Sequence, residues 1–166
     1  GGTIQGNLNV VGNLNVTGPV TMSSLTVTDD VVIAGNLTVQ NISVANITIN
    51  GHIITAGNAP VATAGTAAGT EDTINNIPAP QVTIEGNDTA GTITIVAGAN
   101  TTAGTLAEVS FNQAFGNIPK VVITGQDMDS AGVVVFATPT TNGFTFGTPN
   151  ITQANKTYKY SYFVIE

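Results

Sequence analysis

Between Leu8 and Ile53 the apolar residues come in pairs, and the pairs recur at short, regular steps. The pairs are Leu8/Val10, Leu14/Val16, Val20/Met22, Leu25/Val27, Val31/Ile33, Leu37/Val39, Ile42/Val44 and Ile47/Ile49. Within a pair the spacing is two, the period of a strand with one buried face. From Leu8 the steps between pairs read 6, 6, 5, then 6, 6, 5, then 5 and 6. Two sets of three each sum to 17, which makes Leu8, Leu25 and Ile42 equivalent, and likewise Val10, Val27 and Val44. Such spacing predicts very short strands separated by tight corners, three strands to a turn. The corners read Gly-Asn, Thr-Gly-Pro, Asp-Asp and Ala-Asn, residue types that accept turns and left-handed backbone. No helical period competes with this pattern.

A short strand that offers two inward side chains cannot bury them alone, and stacking on neighbours solves the problem. One solution is a single-chain β-helix of three coils, about 15 Å long at the usual strand spacing. The other winds three chains about one axis. Their rungs interleave into a rod of about 40 Å. The trimer makes one continuous core, and it is the expected form. Leu8, Val10, Leu25, Val27 and Val44 would then lie in the trimer core.

The charge content agrees with buried surface between copies. Only 8% of the 166 residues are charged, against about a quarter in ordinary soluble domains. There is no Arg, the three Lys are Lys120, Lys156 and Lys159, and the net charge is −7. Nothing here would neutralise a row of phosphates, so nucleic-acid binding is not expected. Attraction to anionic membranes is not expected either. The longest aliphatic stretches are far too short for a helical membrane span. Without Cys there is no disulfide framework or thiolate metal site. Gly1 follows no initiator Met or secretory signal, which reads as a piece processed or excised from something longer.

Residues 1–55 form the repeat. Residues 56–80 are rich in Ala, Gly, Thr and Pro and read as a linker or neck, long for a loop within a domain. Residues 81–166 read as a β-sandwich with strands over 81–85, 92–97, 105–111, 120–126, 132–138, 143–147 and 157–165. Phe111, Phe115, Phe136, Phe144 and Phe146 are its expected large core side chains. The fold class is therefore all-β: a short β-helical, trimeric stem followed by a C-terminal antiparallel β-sandwich knob.

The Gly-Asn-Leu-x-Val units at 6–10, 12–16 and 35–39 resemble the stems of bacteriophage tail fibres and fibrous bacterial surface proteins. The last 80 residues resemble a β-sandwich module found at the tips of such fibres. The matching features include Thr89 to Thr94, Ala103 to Leu106, Val109-Ser110-Phe111, Pro119 to Thr124, Gly143-Phe144-Thr145 and Tyr158 to Glu166. The spacing of Phe111, Phe115, Pro119 and Val121 is also similar to H-type lectins. No lectin binding residue maps onto this chain. The resemblance implies an extracellular location, on a cell surface or a virion, and a role in attachment.

Catalytic constellations are sparse. His52 is the only His and reads as a corner residue, or as an axial cluster in a trimer. Asp127 and Asp129 sit two apart in a loop. They suit a solvated turn, or Ca²⁺ if carbonyls complete the shell. Glu71-Asp72 and Asp29-Asp30 read as solvated charge pairs. Tyr158, Tyr160 and Tyr162 alternate onto one face of the last strand. That face would be a packed interface or a glycan-stacking surface.

These readings predict a non-enzymatic attachment fibre that needs no cofactor and holds no metal. Its partners would be two further copies of itself and a cell-surface glycan or protein. The knob loops at 112–119, 126–131 and 148–156 are where recognition would concentrate. Asp127, Asp129, Lys156 and Tyr158 are the candidate ligand contacts. The alternative is a structural subunit of a self-assembling extracellular filament, built by head-to-tail contacts that do not close.

Overall fold

The computed structural model describes residues 5–166, and residues 1–4 of the stem segment lie outside them. The chain divides into two compact units, Gly1–Thr48 and Ile49–Glu166.

In the first unit the described backbone holds no helix or strand and bends at Gly6, Val11-Gly12, Gly18, Ser23, Thr28-Asp29, Ala34-Gly35, Gln40 and Ala45. These bends fall at the corners between the apolar pairs, so the five-or-six-residue step is a property of the backbone as well as of the side chains. No strand ladder forms within the chain among described residues 5–60, and no backbone–backbone hydrogen bond joins two of them. The rungs of a single-chain β-helix would appear as such ladders. The paired side chains from Leu8 to Ile49 are between 42% and 70% exposed, whereas Val11 and Val32, outside the pairs, are 95% and 90% exposed. Pair residues are thus less exposed than Val11 and Val32, yet none of them is buried.

The second unit is nearly all β. Its strands are β1 (Val61–Ala64), β2 (Gln81–Gly86), β3 (Ala90–Val96), β4 (Gly104–Ser110), β5 (Lys120–Gly125), β6 (Phe136–Thr140), β7 (Gly143–Thr148) and β8 (Thr157–Ile165). One four-residue helix, α1 (Met128–Ala131), lies between β5 and β6. The strands make two antiparallel sheets of four, in the orders β1-β4-β7-β6 and β2-β3-β8-β5.

Alternation decides the core. In β8 Tyr158, Tyr160, Tyr162 and Val164 are buried, and the residues between them face outward. Ile93 and Ile95 of β3 join them. From the other sheet come Leu106, Val109, Phe144 and Phe146. In β4 the register slips between Thr105 and Ala107. Leu106 and Ala107, adjacent in sequence, are therefore both buried, as a bulge permits and strict alternation does not.

Several expectations change. The segment 56–80 is not a plain neck: Val61–Ala64 pairs with β4, and Ala67 and Ala68 are buried in the core. Small residues make this possible. A Cβ on Gly65 would sit 2.3 Å from the Thr105 carbonyl oxygen. Phe136 leaves the expected core set, because β6 starts later than its apolar run and its ring lies over Gly147, where a Cβ would be 2.7 Å from Cζ. Phe111 and Phe115 are only partly buried and pack edge-on against each other, with centroids 5.0 Å apart. The tyrosine face points between the sheets, so its rings are closed to stacking by a glycan.

Candidate functional site

Two clefts on the sandwich gather the polar groups that binding would need. The first draws on the sequence-named residues. Asp127 ends the β5 connection in extended backbone and caps α1 by accepting from the Ser130 N–H at 2.7 Å. Hydrogen bonds from Ser130 hold its carboxyl below the usual carboxylate range. The Ser130 hydroxyl in turn accepts from the Lys159 N–H at 2.7 Å, which ties the helix to β8. Asp127 is thus occupied with its own turn.

Asp129 points elsewhere. Its Oδ1 lies 2.7 Å from Lys156 Nζ, and that contact raises the Lys156 ammonium above its ordinary value. The two loop carboxylates therefore face separate partners and do not converge on one cation. Asp129, Lys156 and Tyr158 line a single cleft of about 300 Å³, flanked by the exposed side chains of Met128 and Ile151. Three of the four sequence-named contacts meet there, and Asp127 does not. Tyr158 brings only its edge. Its ring is in the core, and its hydroxyl accepts from the Gln153 N–H at 2.9 Å.

The second cleft is wider, about 530 Å³; its loop lies in the expected recognition segment 112–119, but none of the sequence-named contact residues lines it. It forms where residues 56–58, the tip of the β2–β3 hairpin, the loop 112–116 and Glu166 meet. The hairpin tip is built by Gly86 and Asn87. Gly86 has φ +109°, and a Cβ there would sit 2.2 Å from the Ala90 carbonyl oxygen. Asn87 Oδ1 accepts from the N–H groups of Thr89 and Ala90, while its Nδ2 donates to Thr55 Oγ1 at 2.9 Å. The Tyr162 hydroxyl donates to the Asn87 carbonyl from inside the core. Burial, and secondarily the charge of Asp88, push that phenol up to about 12.

With the tip fixed, Asp88 and Glu166 hold the loop from its two ends. Asp88 Oδ1 accepts from the Asn112 N–H and its Oδ2 from the Gln113 N–H, each at 2.9 Å. Glu166 Oε1 accepts from the N–H and the side-chain amide of Asn117, both at 2.7 Å. Its Oε2 accepts from the Gly116 N–H at 3.1 Å. The Asn117 side-chain amide, followed by the two N–H groups, holds the Glu166 carboxyl below its ordinary range. Asn112 Nδ2 donates to the Asn58 carbonyl at 2.9 Å and closes the remaining side. No alternation or motif marks this arrangement. Asp88 and Glu166 are far apart in sequence, and each looks like a solvated charge.

His52 is exposed, and so are Asp29 and Asp30, which lie at a bend of the first unit. None of the three belongs to either cleft. No protein-family profile, curated protein or solved structure matches this chain, so function must be argued from its own residues.

Proposed function

We propose that this chain is a fragment of a non-enzymatic extracellular attachment fibre. Three copies wind their repeats into a β-helical stem, and the β-sandwich is the knob that meets a cell-surface glycan or protein. One observation carries this reading. The described residues of the first unit make no backbone hydrogen bond with one another, and the apolar pairs along them remain 42–70% exposed. Isolated segments without a ladder partner are not stable in water, and unpaired backbone groups need partners once the row is buried. Further copies of the same repeat supply both the ladder partners and the missing cover. Leu8, Val10, Leu25, Val27 and Val44 then face the common axis.

Within this reading the Asp129–Lys156 cleft offers a receptor one group of each sign. Three knobs on one stem multiply a weak single-site affinity by effective concentration.

Light scattering of the full chain tests the assembly. The expected mass is three times the 16.8 kDa of one chain. A single-chain mass at micromolar concentration overturns the stem. Long polymers in electron micrographs would favour the filament alternative over discrete rods.

A further inference from the structure

The cleft closed by Asp88 and Glu166 has features that a ligand site needs and that a packing defect lacks. Its volume of about 530 Å³ falls in the range of about 300–1,000 Å³ usual for small-molecule sites. Its acceptors are held in place beforehand. The Asn112 and Gln113 N–H groups hold Asp88, and the Gly116 and Asn117 N–H groups hold Glu166. A carboxylate has about four acceptor positions. Asp88 Oδ2 and Glu166 Oε2 each accept one hydrogen bond from the protein, which leaves a lone pair on each. Gln113 and the partly buried Phe115 also line the space.

The chemistry of this set selects a ligand class. Two fixed acceptors call for hydroxyl or amine donors, an amide side chain donates and accepts, and an aromatic ring packs against an apolar C–H face. No Lys lines the cleft, while two carboxylates do. An anionic ligand would therefore be repelled. We infer that this cleft is a saccharide site that takes a neutral sugar, with its hydroxyls donating to Asp88 Oδ2 and Glu166 Oε2 and to the Gln113 side-chain amide. This assigns a ligand class and a location to the attachment reading, and it rests on that reading only for its biological purpose.

The test applies the full chain to an immobilised array of neutral oligosaccharides ending in glucose, galactose, mannose or N-acetylglucosamine, together with sialylated and sulfated counterparts. Ala114→Trp fills the cleft from an exposed position that carries no core contact. Gln113→Ala removes one proposed contact and no hydrogen bond of the loop. Ile74→Trp adds the same bulk at a position 93% exposed and outside the cleft. The expected result is binding of neutral termini that falls by about tenfold or more in Ala114→Trp and persists in Ile74→Trp, with unchanged melting in both. A smaller loss is expected in Gln113→Ala. Preference for acidic glycans, or binding of no glycan, overturns the inference. So does binding that survives Ala114→Trp, or that is lost in Lys156→Ala instead. Light scattering separates the two readings. A trimer that binds no sugar refutes the site and spares the fibre, and a monomer that binds neutral sugars does the reverse.

Discussion

Phe146 of β7 and Tyr160 of β8 meet across the sandwich edge to face, with ring centroids 4.8 Å apart, and both are fully buried. The pair joins the two sheets at their centre. The Tyr160 hydroxyl finds no hydrogen-bond partner there, and burial pushes its phenol well above the ordinary value. A buried donor without a partner costs about 1–3 kcal/mol. Tyr160→Phe keeps the ring and removes the orphaned group. It should raise the melting temperature of the knob, and a calorimetric scan showing a lower one would mean that the hydroxyl is satisfied in solution. Phe146→Ala removes the other half of the pair and should cost about 3–5 kcal/mol.

The buried phenols also set an alkaline limit. Tyr162 rises from the ordinary 10.0 to about 12, and Tyr160 rises further. A raised folded-state pKa means that the native protein keeps its proton where the unfolded chain has lost it. The stabilisation is whole below pH 10 and is lost progressively as pH climbs through about 12. Melting temperature followed across this window should fall steeply above pH 10. A flat profile up to pH 12 would show that these phenols are accessible.

The stem predicts a contrast between two valines. Val27 belongs to a pair and is 45% exposed, whereas Val32 stands outside the pairs at 90%. Val27→Asp would place three unpaired charges on the axis of a trimer and should dissociate it. Val32→Asp should leave the mass of the assembly unchanged. Sedimentation velocity of both variants decides the matter, and equal behaviour would mean that the pairs do not face a common core.

The domain boundary is testable by truncation. Residues 49–166 contain both complete sheets and should melt cooperatively. Residues 81–166 lack β1 and the buried Ala67 and Ala68, which exposes the edge of β4 and opens the core beside Leu106. That shorter fragment should melt at a clearly lower temperature or show no cooperative transition. Equal melting of the two would return 56–80 to the role of a linker.

Much of the architecture was legible because it rests on local periodicity. The period of two in Tyr158–Val164 places those side chains on one face whatever lies opposite, and they are buried. The seven strands read from the sequence all appear within a few residues of their expected positions, since β-branched runs bounded by Gly, Pro, Asn and Asp leave the backbone few choices. The five-or-six-residue step of the repeat likewise returns as backbone bends. β1 was hidden because an Ala- and Thr-rich strand has no apolar alternation, and close approach at Gly65 is a property of its neighbour Thr105.

The clefts divide on the same principle. The amino-acid sequence alone determined that Asp127 and Asp129 share a loop and that Lys156 and Tyr158 follow one another closely. The Asp127 cap on Ser130 is likewise local to its turn, whereas only the tertiary structure brought Asp129 to Lys156 and sank the Tyr158 ring into the core. Asp88 and Glu166 carry no local signal at all. Their meeting around residues 112–117 depends on how hairpin β2–β3 and strand β8 pair, which is a long-range register. Strand propensity and alternation act over a few residues and are written in the chain. Which carboxylate meets which N–H is decided by sheet order, because the energy of a hydrogen bond depends on distances that only the folded chain sets.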